Sequence, residues 1–298
     1  MVATVSGPAQ AIRVEMPFNI SRADIPEAVR PAVSAIYDFL TRRTKRRLDF
    51  AMSYIQPQID HAKVWARSES EESNFLYEIT PGNRLNLAHM IAVIFSTSSK
   101  TVEGLFAEIE NDGVFQRHVE AGMKRHLPGI GEVKIGRRLG WYAVARILNP
   151  KIIVETGVDY GIGSCVLCSA LMRNAAEGFP GRYIGMEIRK EAGQLLTGPF
   201  AEFGRIEYGD SLTSLSRMNE AIDLFVSDSD HSLDYEAREY DTVTPMLSSK
   251  AIILGDNSHF SPMLARYSDR ERRQFLFFKE EPLRHWYPGA GIGFSYRA

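Results

Sequence analysis

Two cysteines among 298 residues, Cys165 and Cys168, are too few for a disulfide-stapled secreted scaffold, and two thiols alone cannot complete a four-ligand zinc site. Charge of one sign is also missing: 35 basic against 37 acidic side chains leave a formal net charge of −2, which excludes a histone-like polycation and an acidic tail. No run of about 18 apolar residues occurs, so no membrane-spanning helix and no membrane partner is expected. Met1–Gln10 lacks the basic start and continuous apolar stretch of a signal peptide, and a soluble, cytoplasmic protein is the expectation. There is no internal repeat and no low-complexity segment. What is present is a composition 44% apolar and 24% charged, which is globular, in a chain long enough to bury a substantial interior.

The chain reads in three parts. Residues 1–16, rich in Ala, Val, Ser and Gly without period, are expected to form a flexible tail, with order beginning near Pro17. Residues 17–130 read as all-helical. Ile25, Val29, Val33, Ile36, Phe39 and Leu40 recur at helical spacing toward Ile55, Thr80-Pro81-Gly82-Asn83 marks a turn, and helical patterns resume over Leu85–Phe95 and Val102–Ile109. This region is expected to cap a crevice or to pair two copies of the chain through its apolar stripes. Residues 131–298 change pattern. A helix, Arg137–Leu148, ends before Asn149-Pro150, and strand-like runs follow at Ile152–Glu155, Tyr183–Ile188, Arg205–Tyr208, Ile222–Val226 and Ala251–Leu254, with Gln274–Phe278 and Gly291–Tyr296 as closing strands. Strands alternating with helices predict an α/β fold: a doubly wound, seven-stranded, mostly parallel sheet covered on both faces.

In such a sheet the ligand lies outside the carboxyl ends of the strands. The first strand runs into Glu155-Thr156-Gly157-Val158-Asp159-Tyr160-Gly161-Ile162-Gly163-Ser164, followed by an apolar helix. The glycines are spaced Gly157-x-x-x-Gly161-x-Gly163 rather than as the Gly-x-Gly-x-x-Gly of dinucleotide binding, which disfavours a nicotinamide oxidoreductase. Glu155 would repel a pyrophosphate but could accept hydrogen bonds from an ammonium group.

On these residues the sequence resembles the class I S-adenosylmethionine-dependent methyltransferases, over residues 150–298. The resemblance implies that Glu155, Gly157, Tyr160, Gly161, Gly163 and Ser164 form the cofactor loop. Glu187, ending the second strand 24 residues beyond Gly163, would take the ribose hydroxyls, Asp210 and Ser211 would approach the adenine, and Asp230 is a further cofactor contact. The fourth strand ends in Asp228-Ser229-Asp230-His231 and the fifth in Asp256-Asn257-Ser258-His259. Asp228, Asp256 and Asn257 suit a hard divalent cation, most simply Mg²⁺, and this arrangement looks like that of the cation-dependent O-methyltransferases of the catechol and caffeoyl-CoA type. A histidine at 231, where the plant-type members carry a lysine, is closer to the macrolide-sugar O-methyltransferases. The resemblance therefore implies O-methylation of a hydroxylated small molecule, such as a sugar, with His231 as base and His259 as a second catalytic candidate.

Each of these features has a plainer meaning. Asp and Asn at strand-to-helix junctions also cap helices, and histidines there can simply orient substrate, which leaves open metal-independent transfer to nitrogen or carbon and a non-catalytic binding or scaffolding role. Cys165-Val166-Leu167-Cys168 has redox spacing but sits inside an apolar helix, where core packing is expected. The basic run Arg42–Arg47 reads as a solvated helical face, and no nucleic-acid partner is expected. The segment 285–293 reads either as a wall of the acceptor pocket or as a structural loop.

Overall fold

The computed structural model describes residues 26–68, 73–126 and 132–297; the expected flexible tail and the expected onset of order near Pro17 lie outside them. The chain divides into two compact units, Met1–His61 and Ala62–Ala298. In the first, a 3₁₀ turn, Glu27–Val29, leads into helix α1, Arg30–Trp65, which runs past the unit boundary. The apolar period toward Ile55 thus belongs to one helix of 36 residues, with Pro57 inside it. Pairs one turn apart support it: Lys45 donates to Asp49 at 2.7 Å, Gln56 to Asp60 at 2.9 Å, and Phe50 meets Tyr54 edge-on. No residue of α1 is buried, and the basic run from Arg42 to Arg47 is solvated as expected.

The second unit begins its regular structure with α2 (Pro81–Ile94), α3 (Ser99–Glu110), α4 (Gly113–Met123) and α5 (Arg138–Leu148). Thr80-Pro81-Gly82-Asn83, expected as a turn, is instead the start of α2. Thr80 Oγ1 accepts the Asn83 N–H at 3.3 Å and Pro81 takes the first helical position, where its missing N–H costs nothing. Ser98 and Asp112 cap α3 and α4 in the same way, and α5 ends on Asn149 in the left-handed conformation, just before Pro150. Arg146 of α5 is buried and donates to Glu108 of α3 and to Glu177, each at 2.7 Å, which ties the helical layer to itself.

The strands are β1 (Ile152–Thr156), β2 (Arg182–Glu187), β3 (Gly204–Tyr208), β4 (Ile222–Ser227), β5 (Leu247–Asp256), β6 (Gln274–Lys279) and β7 (Gly291–Tyr296), with helices α6 (Ile162–Ala176), α7 (Ser211–Leu215), α8 (Leu233–Val243) and α9 (Met263–Arg270) between them. They form one seven-stranded sheet in the order β3-β2-β1-β4-β5-β7-β6, parallel except for β7, which pairs antiparallel with β5 and β6. The order reverses direction beside β1, which makes the β1–β4 edge the place where a crevice opens. Successive residues of each central strand face opposite sides. Ile153, Leu224, Val226, Ile252 and Leu254 pack with α2 to α6 on one face, while Ile152, Val154, Phe225 and Ile253 pack with α7, α8 and α9 on the other.

Helices α2 to α4, which the sequence pattern grouped with residues 17–130, therefore share a hydrophobic core with the sheet. Phe106 of α3 is fully buried in it beside Trp141 and Tyr142 of α5. Truncation by Phe106→Ala is expected to cost about 3–5 kcal/mol. Because the core is common, Phe106→Ala should lower hydrogen-exchange protection in α3 and in the central strands together; a loss confined to α3 would show that the helices fold apart from the sheet.

Candidate active site

The first turn of the crevice is built by glycine where no other residue fits. Gly157 has φ +81°, and a Cβ there would lie 1.9 Å from the Asp228 carbonyl oxygen, so the ends of β1 and β4 can pass each other only without a side chain. Gly161, at φ +93°, caps α6, and a Cβ on Gly163 would meet Glu155 Oε1 at 2.4 Å. The turn is anchored to β2, since the backbone N–H groups of Val158 and Asp159 both donate to Glu187 Oε2 at 3.1 Å. The Arg189 N–H donates to Glu187 Oε1 at 2.9 Å. Burial works to raise the Glu187 pKa, but these three backbone donors and the Arg189 side chain outweigh it and hold the carboxyl below its ordinary range.

Glu155 is treated differently. It is buried at the end of β1 and its Oε2 accepts from the hydroxyls of Tyr183 and Ser164, and among the described residues no cation is hydrogen-bonded to it, Arg138 acting on it only through space. Burial pushes its pKa up to about 8, against the pull of the Tyr183 hydrogen bond, and the nearby Asp228 charge adds to the rise. Glu239 of α8 follows the same pattern. It is fully buried and accepts from Ser211, Ser227 and Ser229, and burial raises its pKa.

At the ends of β4 and β5, Asp228, His231 and Asp256 come together, with one ligand atom from each lying within 4.8 Å of the others. His231 Nε2 lies 3.6 Å from Asp228 Oδ1 and 3.2 Å from Asn257 Nδ2, and its Nδ1 lies 3.3 Å from Glu236 Oε1. Burial pulls the imidazole pKa down, but Asp228 and Glu236 together carry it up to about 10. Burial and the Asp256 charge lift Asp228 to about 7. Asp256 behaves in the opposite sense: burial opposes ionisation, but Arg137 holds its pKa below the usual carboxylate range. Arg137 Nε and Nη2 donate to the two Asp256 oxygens at 2.6 Å each, and Arg137 Nη1 donates to the Tyr77 hydroxyl at 2.8 Å and to Glu280 at 3.0 Å.

These groups surround a cavity of about 550 Å³, lined on its sheet side by Glu155, Glu187, Asp210, Asp228 and Asp256. Its volume is in the range of small-molecule sites. Phe75, ahead of α2, and Tyr160, in the β1–α6 turn, meet edge to face at 5.2 Å on its wall, and Tyr287 closes another part of it.

Residues 154–258 match the family model described as a methyltransferase domain. The match spans about a third of the chain, from within β1 to just past the end of β5. No curated protein matches the sequence. Among solved structures, a methyltransferase from Geobacter sulfurreducens is 18% identical, with 61% of this chain and 90% of that one covered at a TM-score of 0.47. The O-methyltransferase TomG from Streptomyces achromogenes, involved in tomaymycin synthesis, is 15% identical, with 63% and 91% covered at 0.47. The O-methyltransferase from Bacillus cereus is 14% identical, with 66% and 100% covered at 0.48.

Most residues expected from the sequence meet at the cavity wall: Glu155, Gly157, Tyr160, Gly163, Glu187, Asp210, Ser211, Asp228, Asp230, Asp256 and Asn257. Four do not line it. Gly161 shapes the turn, and Ser164 is buried behind it, donating to Glu155. His231 stands behind Asp228 and Asn257, and His259 is exposed, its ring 4.1 Å from that of Phe260. Asp210 also caps α7, accepting from Thr213 N–H at 2.8 Å, while Tyr235 donates to its other oxygen at 3.0 Å. Cys165 and Cys168 are buried free thiols in α6, and burial pushes both pKa values up, which fits packing rather than redox chemistry. Of the 285–293 segment, Tyr287 reaches the cavity.

Sequence reasoning missed Arg137 and Arg138, which precede the strands and face the same cavity, and Tyr235 and Glu239 on α8. Arg137 and Arg138 stand next to the apolar pattern of α5, and that adjacency was the available signal. Gly157→Ala should destabilise the protein by about 3 kcal/mol or more, from strain and overlap together. Gly178→Ala, at φ +92° with open space around it, should cost only about 1–2 kcal/mol. Urea titration of the two variants checks this, and equal losses would mean that the β1 turn is not tightly packed on β4.

Proposed function

We propose that the protein transfers the methyl group of S-adenosylmethionine to a hydroxyl of a small acceptor, such as a sugar or another natural product. The observation that carries this reading is the delivery of Glu155, Glu187, Asp210 and Asp228, from four successive strand ends, to one cavity of about 550 Å³. The donor set fits the cofactor piece by piece: a buried carboxylate without a bonded cation for an ammonium group, a carboxylate at the end of β2 for a diol, and a polar α7 start for a base. The glycines supply the close backbone approach such a ligand needs.

When bound, S-adenosylmethionine supplies a methyl group on a positively charged sulfur, which leaves as the thioether when an oxygen takes the methyl. The chain's own residues do the rest by holding and orienting. Glu155 accepts from the ammonium group. Glu187 exchanges its long 3.4 Å contact with Arg189 Nε for a ribose hydroxyl while keeping its backbone donors. Asp228 faces the cavity and holds the acceptor hydroxyl, taking its proton as the methyl arrives. His231, expected from the sequence as the base, lies outside the cavity wall and acts through Asp228, against which Glu236 and Asn257 hold its ring.

A divalent cation on Asp228, Asp256 and Asn257 does not fit the residues as they are folded. Both oxygens of Asp256 are taken by the Arg137 guanidinium. The guanidinium charge held against Asp256 opposes a second cation on the same carboxylate. No step is therefore routed through a metal.

Titration calorimetry with S-adenosylmethionine and S-adenosylhomocysteine tests the reading, with one-to-one binding expected for both and absence of both sinking it. Since the ammonium group favours ionised Glu155, binding at pH 7 should expel a proton. With a free pKa of about 8 the release should be about 0.9 per site, read from buffers of different ionisation enthalpy, and Glu155→Gln should release none. Asp228→Asn should leave S-adenosylhomocysteine affinity within about twofold and reduce methyl transfer by roughly 10²–10⁴-fold; undiminished transfer would remove Asp228 from the chemistry.

A further inference from the structure

We infer that Arg137 is the resident cation of this site: its guanidinium takes the place a divalent ion would occupy on Asp256, closes that place to metals, and positions the Asp256–Asp228 pair for metal-free methyl transfer. This rests on the methyl-transfer reading for its purpose, but the geometry stands independently. The side chains of Arg137, Asp256 and Glu280 are 7%, 1% and 0% exposed, so the cluster is buried at the floor of the cavity that Arg137 and Asp256 line. A buried carboxylate needs a compensating charge, and Asp256 has it in bidentate form from Nε and Nη2 at 2.6 Å. The other terminal nitrogen, Nη1, is fixed by Tyr77 and Glu280, and Glu280 is itself fixed by the Tyr77 hydroxyl at 2.9 Å and the Ala290 N–H at 2.7 Å. The guanidinium therefore cannot swing away without stranding two buried carboxylates.

The arrangement also assigns a role to the helical layer. Arg137 lies at the start of α5 and Tyr77 ahead of α2, both outside the stretch that matches the methyltransferase-domain model, while Asp256 lies within it. The segment before the sheet thus brings in the positive charge that the acidic strand ends lack. Arg137 acts on the reacting groups through Asp256, as a positioning residue.

Electron paramagnetic resonance of Mn²⁺ titrated into the full chain after chelator treatment decides the matter without any acceptor. The wild-type protein should leave the free Mn²⁺ signal unchanged, with no saturable one-to-one site; a one-to-one site that is lost in Asp256→Asn overturns the proposal. Arg137→Gln should open the site and gain Mn²⁺ binding at least tenfold over wild type, whereas Arg137→Lys, which keeps the charge, should not. A folded Arg137→Gln that binds no Mn²⁺ would show that the arginine is not what excludes the ion, and would also overturn it. If Arg137→Gln does not fold, the wild-type titration paired with Asp256→Asn remains decisive. S-adenosylhomocysteine calorimetry on the same samples separates the two ideas: failure of that ligand to bind removes the methyl-transfer reading and leaves the Mn²⁺ result intact.

Discussion

The buried pair of Arg137 and Asp256 is the interaction on which the site depends. Taking both charges out of water is costly, and only bidentate geometry with every remaining polar atom satisfied makes it tolerable. That condition constrains more than the two residues. The start of α5 must sit against the carboxyl end of β5, Tyr77 must reach Glu280, and Glu280 must meet the backbone of the β6–β7 connection. One guanidinium thus fixes the helical layer, the central sheet and its antiparallel edge in a single register.

Around this pair the domain gathers carboxylates that would repel one another if all were bare. They are handled by three devices. Glu187 is held ionised by backbone N–H groups, Asp256 by an arginine, Glu239 is solvated by serine hydroxyls, and Glu155 rests on hydroxyls with its pKa raised into the working range. The consequence is a graded site. Glu187 and Asp256 have backbone or arginine donors that hold them ionised, whereas Glu155 has hydroxyl donors and a pKa of about 8. Asp228 and Asn257 both face the cavity and lie against His231, and of the two only Asp228 carries a titratable group.

The glycines serve the same economy of space. Gly157 lets β1 and β4 approach until the Asp228 backbone lies against the turn, and Gly163 makes room for the Glu155 carboxylate between α6 and Trp141. Small residues here keep the acidic groups close together around one cavity.

The sequence by itself determined the strand and helix order, the burial of alternate strand residues on opposite faces, and the delivery of Glu155, Glu187, Asp210, Asp228 and Asp256 to one edge. All of these follow from local periodicity and from position at a strand end. It also determined the apolar placement of Cys165 and Cys168 within α6. It did not show that Thr80-Pro81-Gly82-Asn83 starts a helix, because cap and turn use the same residue types. Tertiary structure alone decided which groups of the crowded edge touch a ligand. His231 and Asp228 are three residues apart on one loop, and only its path in space puts the carboxylate on the cavity wall and the imidazole behind it. Arg137 could not be paired from the sequence, since its partner lies 119 residues away and a long-range ion pair leaves no periodic trace. The fold was therefore written in local pattern, whereas the charge balance of the site was set by a contact that exists only once the chain has folded.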